Sequence, residues 1–102
     1  MTSKYGVYKD IEYYIRINTN RYHYEHIASS TLISTVDNLD TAIEYANNIK
    51  LDIDRYVNSI YIDSISIFKI DDDNNIISDN LYNYTYNYNE LEKMLDIRII
   101  SY

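Results

Sequence analysis

The stretch that decides the fold is residues 59–70, which has the sequence SIYIDSISIFKI. Its apolar residues change phase, because Ile60 and Ile62 lie on one side of an extended chain and Ile65 and Ile67 on the other. A strand that is apolar on both faces is typical of the centre of a sheet. We therefore expect a central strand here, with a β-bulge near Asp63 and Ser64.

The chain beyond this strand predicts a turn, a partner strand and a short helix. The polar residues 71–75 predict the turn, and Ile76 and Ile77 start the partner strand. Four tyrosines then alternate with polar residues, which predicts a strand that carries all four rings on one face: Tyr82, Tyr84, Tyr86 and Tyr88. Asn89 with Glu92 three residues later resembles a capping box, so we expect a short helix, followed by a closing strand at residues 97–100.

Before the central strand, a helix is predicted from residue 39 to residue 49. Apolar residues fall at helical spacing at Leu39, Ala42, Ile43, Ala46 and Ile49. Either Asp37 or Asn38 can accept hydrogen bonds from the first free amides of this helix. The opposite side carries Asp40 and Glu44, so the helix should direct carboxylates outward.

The first third of the chain predicts a β-hairpin. Ile11, Tyr13, Ile15 and Ile17 alternate with more polar residues, which indicates a strand whose odd-numbered residues are buried. A turn is expected at residues 18–20, followed by the returning strand. Whether residues 5–8 belong to the first strand stays open, and residues 32–36 are interpreted as a third short strand. The whole predicts one α+β domain over residues 1–102, an antiparallel sheet of about four to six strands packed against one long and one short helix.

Composition excludes several classes of site. The 102 residues include no cysteine, no proline and one glycine, so disulfides, thiolate metal sites and glycine-rich phosphate loops are excluded. We expect no metal site: residues 71–75 begin like a calcium loop, but Ile76 stands where that loop needs glycine. His23 and His26 are three positions apart, which places them on opposite faces of a regular strand. We expect neither an enzyme nor a cofactor.

No export signal or membrane-spanning stretch is recognisable in the sequence, so we expect a cytoplasmic protein, in the host cell if the gene belongs to a phage. The abundance of Ile, Asn and 14 Tyr indicates AT-rich codons and a low-GC genome.

The negative charge is confined to one segment. The formal net charge is −7, yet residues 37–96 carry thirteen carboxylates against four basic side chains. We define the acidic set as the residues of the helix, loops and turn that could form one negative surface: Asp37, Asp40, Glu44, Asp52, Asp54, Asp71, Asp72 and Asp73. Carboxylates spaced over a folded surface can imitate phosphates and attract a basic groove.

The four tyrosines at residues 82–88 have two interpretations. Tyrosine is enriched at protein interfaces, so the row could anchor a protein partner. The alternative is that the rings pack onto the chain's own helices. Stacking on unpaired bases would need a basic groove beside the rings, and the flanking residues supply almost none, so we expect no direct contact with nucleic acid.

In size, charge and the acidity of residues 37–96, the chain resembles the phage-encoded anti-CRISPR and other anti-defence inhibitors, a group that shares no motif. The resemblance implies a non-enzymatic inhibitor whose acidic surface binds a nucleic-acid-binding defence complex or nuclease, and a homodimer is compatible with it. Two alternatives stay open. One is a module that sequesters a small ligand or nucleotide, and the other is a minor structural protein that assembles through an edge strand at residues 82–88.

Overall fold

The computed structural model describes residues 3–100, which form six strands and two helices. In chain order these are β1 (Lys4–Asn18), β2 (Arg21–Val36), α1 (Leu39–Asn47), β3 (Ile53–Arg55), β4 (Ser59–Ile70), β5 (Tyr82–Tyr84), α2 (Tyr88–Leu95) and β6 (Arg98–Ile100). The predicted α+β class is confirmed, and the sheet in this range is antiparallel except for the β2–β6 pair. The prediction of one long helix is not confirmed, because α1 has nine residues and α2 has eight.

The sheet has the order β3-β4-β1-β2-β6, and β5 also pairs with β4. The predicted hairpin is confirmed: β1 and β2 are joined by a turn at Thr19 and Asn20. Residues 5–8 belong to β1, whereas the prediction of a separate strand at residues 32–36 is wrong because these residues continue β2. Three bulges hide that continuity. Glu25, Ala28 and Ile33 have no residue opposite them in β1, and each bulge inverts the alternation of side chains.

The predicted central strand is confirmed as β4, which pairs with β1 on one edge and with β3 and β5 on the other. The predicted bulge in its middle is wrong, since β1 and β4 pair in an unbroken register from Ser59 to Ile70. The phase of the apolar residues changes because the two halves of β4 are buried on opposite faces of the sheet.

Two hydrophobic clusters lie on these two faces. The α1 cluster consists of Val7, Ala42, Ala46, Leu51, Ile65 and Ile67. The α2 cluster consists of Tyr14, Tyr22, Ile60, Ile62, Leu91 and Ile97. Because β1 and β4 pair without a shift, strand residues an odd number of positions apart lie on opposite faces. Each helix therefore covers one face near one end of the sheet, and we call these faces the α1 face and the α2 face.

The buried side of β1 near the hairpin differs from the prediction. Tyr14 is 2% exposed beneath α2, whereas Ile17, on the predicted buried side, is 41% exposed. The sheet is long: β1 has 15 residues and spans about 50 Å at ~3.3 Å per residue. A nine-residue helix is only about 14 Å long. Two short helices cannot cover both faces, so part of each face stays open.

The start of α1 is confirmed, and the ends of the other predicted elements shift. Asn38 caps α1, its side chain accepting hydrogen bonds from the amides of Asp40 and Thr41. The predicted cap at Asn89 is wrong, because Asn87 caps α2 two residues earlier. Two further differences concern β-structure: the three-residue β3 was not predicted, and the partner strand expected at Ile76 and Ile77 is a single bridge from Ile76.

The described residues form an elongated body of 53 × 22 × 21 Å. One end, which we call the α1 end, holds Lys4 of β1 paired with Ile70 of β4. The other, the hairpin end, holds the Thr19–Asn20 turn. Neither helix within residues 3–100 has the length and apolar character needed to cross a membrane.

Candidate functional site

The helical carboxylates of the acidic set lie on the outward side of α1. Ala42 and Ala46 are buried against the sheet, while Asp40 and Glu44 are exposed. Asp37 precedes the cap and is also exposed. The predicted division of this helix into an apolar stripe and a carboxylate-bearing side is therefore confirmed.

The turn at residues 71–75 lies at the same end of the sheet as the start of α1. Tyr5 of β1 pairs with Val36, which precedes Asp37, and the adjacent Lys4 pairs with Ile70, which precedes Asp71. The α1 end therefore gathers Asp37 and the turn carboxylates, which are distant along the chain.

The side chain of Asp71 stabilises that turn. Its carboxylate accepts hydrogen bonds from the backbone amides of Asp73 and Asn75, both at 2.9 Å. Hydrogen bonding from Asn75, then from Asp73, and the nearby charge of Lys4 hold the pKa of Asp71 below its ordinary value, against a smaller opposing effect of burial. Asp72 and Asp73 have exposed side chains. The turn thus presents these two carboxylates and uses the third to hold its shape.

Asp52 and Asp54 lie farther toward the hairpin end, along the edge of β4. Asp52 exchanges hydrogen bonds with Asp63, donating its amide to the Asp63 carboxylate at 3.0 Å. Asp54 was predicted in a loop, but it lies in β3 opposite Tyr61. The acidic set is therefore distributed over α1, the β3 edge and the 71–75 turn, with Asp37 and the turn carboxylates at the α1 end.

None of the eight carboxylates in the acidic set forms an ion pair with a lysine or arginine among residues 3–100. The ion pairs in this range join Lys9 to Asp63, at 3.4 Å, and His23 to Glu25, at 3.6 Å. Asp63 is buried and outside the acidic set, and its charge is balanced by Lys9. The acidic set therefore keeps its negative charge without compensation from a salt bridge.

The prediction that four tyrosines share one strand face is wrong. Strand β5 ends at Tyr84, and Tyr88 begins α2. Tyr82 and Tyr84 pack against the α1 cluster, while Tyr86 contacts both clusters where the chain passes from one face to the other. The Tyr82 hydroxyl donates to Asn47 Oδ1 at 2.6 Å, and Tyr88 is 41% exposed. Three of the rings thus pack on the chain's own core, and the edge strand proposed for self-assembly has only three residues.

A different aromatic row, which sequence reasoning missed, crosses the open part of the α1 face. Tyr56 contacts Tyr61 at 5.6 Å between ring centroids, Tyr61 contacts Tyr13 at 5.1 Å, and Tyr13 contacts His26 at 5.1 Å. We call these four residues the aromatic row. Beside it lies an open cleft of about 360 Å³, lined by Ile11, Asp54, Tyr56, Ser59, Tyr61 and Asp63. The row escapes a search for periodic spacing because its members come from different strands and one loop.

The two histidines share a face, contrary to the prediction. His26 lies opposite Tyr13 and His23 lies opposite Ile15, and both of these β1 residues are on the α1 face. The bulge at Glu25 restores the phase between them. No group of three or more potential metal ligands occurs within residues 3–100.

Carboxylates in the central strands were also missed. Asp10 is 5% exposed and accepts a hydrogen bond from Ser66 Oγ at 2.8 Å. Glu12 lies on the same face, where burial and the charge of Asp10 raise its pKa, although a hydrogen bond with Tyr14 opposes the shift. Burial and the neighbouring Glu12 in turn raise the pKa of Tyr14. These acids are satisfied internally and form a polar strip between the two apolar ends of the α2 face.

Comparison with known proteins gives no relative: no protein-family model, no curated protein and no solved structure matches the chain.

Proposed function

We propose that this chain is a non-enzymatic interaction protein, an inhibitor of the anti-CRISPR kind carried by a phage or mobile element. Its acidic surface would occupy a basic groove of a host nucleic-acid-processing defence complex in place of nucleic acid. The partner is a protein in the host cytoplasm, and the inhibitor itself contacts neither nucleic acid nor membrane.

The observation that supports this proposal is the unpaired charge at the α1 end. Asp40, Glu44, Asp72 and Asp73 are exposed, and none has an ion-pair partner among residues 3–100. Negative charges that are left unpaired on one side of a small protein raise the rate of association with a basic partner, and added salt screens the attraction. Asp71 is left out of the contact because its carboxylate holds the turn.

The aromatic row supplies the apolar part of the contact in this proposal. It lies on the same face as α1, and Tyr56 is 58% exposed. Exposed tyrosines contribute strongly to binding because they bury a large ring at little conformational cost. A partner that spans α1 and the open part of the α1 face would contact both the carboxylates of α1 and the aromatic row.

The test compares two charge-reversal variants of the tagged chain. The first combines Asp40→Lys and Glu44→Lys, and the control combines Glu90→Lys and Asp96→Lys, both at α2. Each double variant reverses two exposed carboxylates, and each includes one residue from the first turn of a helix. The control therefore matches the first variant in net charge and in reversing one first-turn carboxylate.

In capture from host lysate, the wild type should retain a nucleic-acid-binding complex that is released by salt and by added DNA or RNA. The Asp40/Glu44 variant should lose this complex and the control should keep it. Equal retention by both variants would show that the α1 end is not the binding surface. Circular dichroism checks that both variants are folded.

A module that sequesters a small ligand is the second candidate, and the cleft beside Tyr56 and Tyr61 favours it. A nucleotide or other planar ligand that stacks there would raise the melting temperature, because it binds only the folded state. A thermal-shift panel discriminates the two functions. A shift that disappears in Tyr56→Ala would support the ligand module, and a panel without any shift would leave the inhibitor as the proposal.

A further inference from the structure

One edge of the sheet is open for most of its length. Strand β2 pairs with β1 along its inner edge, and on its outer edge β6 covers only Arg21–His23. Within residues 3–100, the backbone edge from Tyr24 to Val36 therefore has no neighbouring strand. An open strand edge presents amide and carbonyl groups that can pair with another chain.

The side chains along this edge do little to prevent such pairing. Residues 27–36, IASSTLISTV, include no charged residue and no proline, although the chain carries a net charge of −7. Every residue from Glu25 to Thr31 is exposed, and so are the apolar side chains of Ile27 and Ile33, at 49% and 36%. Proteins commonly protect an exposed edge with lysine, proline or a covering loop, and none of these stands in residues 27–36.

The bulges leave one regular segment in the middle of the open edge. Glu25, Ala28 and Ile33 interrupt the register with β1, while Ser29–Leu32 pairs with β1 residue by residue. Bulges weaken an edge locally, so a new strand would add most readily along Ser29–Leu32. The midpoint of the open edge, Ser30, lies in this segment.

We propose that a second copy of this chain adds antiparallel to β2, with Ser30 opposite Ser30 of the second copy. The result is a two-fold symmetric dimer in which the two sheets join into one. The open edge is flanked by β6 at one end and by α1 at the other. A strand centred on Ser30 therefore brings the end of β2 of the second copy, around Val36, close to Tyr24, at the point where β6 stops.

Charge complementarity favours a second copy over another partner. Arg21 and Arg98 lie side by side in the β2–β6 pair, and neither has an ion-pair partner among residues 3–100. Two like charges directly opposite each other on neighbouring strands repel. In the proposed register, Asp37 of the second copy lies beside this arginine pair, and the symmetry of the dimer repeats the contact at the other end. The uncharged segments of the two copies pair at the centre of the dimer, and side chains of opposite charge lie together at both ends.

The test uses the full chain, whose lack of cysteine makes single-cysteine variants unambiguous. Light scattering over a dilution series should give the wild type about twice the monomer mass of 12.2 kDa. Ser29→Lys, on the open edge, should return the mass to that of the monomer, because lysine opposes edge pairing. Thr85→Lys, at an exposed position that follows β5 on the other side of the sheet, adds the same charge away from the open edge and should leave the dimer intact.

The register is tested by oxidation of Ser30→Cys, with Thr41→Cys as the control. Residues directly opposite each other in antiparallel strands are about 4.5–5.5 Å apart between Cα atoms, which is within the range that a disulfide spans. We expect Ser30→Cys to form a covalent dimer and Thr41→Cys to stay monomeric under denaturing electrophoresis. A monomeric wild type, a larger assembly, a dimer that survives Ser29→Lys or a Ser30→Cys variant that does not crosslink would each overturn the proposal.

Discussion

Replacing Leu91 with alanine should remove a large share of the stability of the protein. Leu91 is 1% exposed and is the one buried residue of α2. It packs in the α2 cluster with Tyr14, Tyr22 and Ile60. A buried leucine that is truncated to alanine costs about 2–5 kcal/mol, less where the site can collapse. Because α2 is short and lies at the surface of the sheet, it can move toward the gap, so we expect about 3 kcal/mol of a total that is about 5–15 kcal/mol for a chain of this size.

The measurement is urea denaturation followed by circular dichroism, with the free energy of unfolding extrapolated to water. The control is Met94→Ala in the same helix, where Met94 is 56% exposed and the expected change is within about 0.5 kcal/mol. In Leu91→Ala, amide hydrogen exchange should show a larger loss of protection in α2 than around the α1 cluster. The two clusters are separate, and Tyr86 packs against both of them. A loss below about 1 kcal/mol, or one equal to that of Met94→Ala, would refute the assignment of Leu91 to a packed core.

Two further predictions concern single residues of β1. Gly6→Ala should lower the free energy of unfolding by about 1–3 kcal/mol, because the added Cβ would lie 2.8 Å from the Tyr8 ring and 3.0 Å from Leu32; urea denaturation measures it, and an unchanged midpoint would contradict the packing of the ring over Gly6. Glu12→Gln should stabilise the protein near neutral pH, where the raised pKa of Glu12 means that its charged form is disfavoured by folding. This gain should start to decrease as pH falls through the folded-state pKa, where the wild-type carboxyl takes up a proton, and should vanish below the unfolded-state pKa. Melting temperatures of both proteins across pH 4–7 check the sign, and a gain that grows toward low pH would contradict it.

Patterns that depend on neighbours in sequence predicted the structure well. The run of β-branched residues at 59–70 predicted the central strand, and the spacing from Leu39 with Asn38 before it predicted α1 and its cap. The sequence offers two possible N-cap residues for α2. Asn87 and Asn89 are each followed three residues later by a glutamate, so both satisfy a capping box. The packing of Leu91 beneath the sheet decides between them.

Features that depend on the partner strand could not be predicted. The bulges at Glu25, Ala28 and Ile33 exist only relative to β1, yet they decide which side chains of β2 share a face. The same holds for the candidate site. Asp37 and Asp71 meet at one end because both strands that precede them pair with the first residues of β1, and the aromatic row joins rings that are distant along the chain.

The arrangement of the two hydrophobic clusters also determines what happens while the polypeptide is being synthesised. The β1–β2 hairpin leaves the ribosome before β4, but the neighbour that completes β1 is not finished until Ile70, and Leu91 comes later still. Tyr14 and Val7, on opposite faces of the nascent hairpin, therefore stay exposed to water until different later segments are synthesised. A hairpin whose two faces are buried at different times can bind chaperones or other copies of the same chain while its apolar surface is exposed. Production of this protein should thus be more sensitive to the speed of translation after residue 36 than to its speed before.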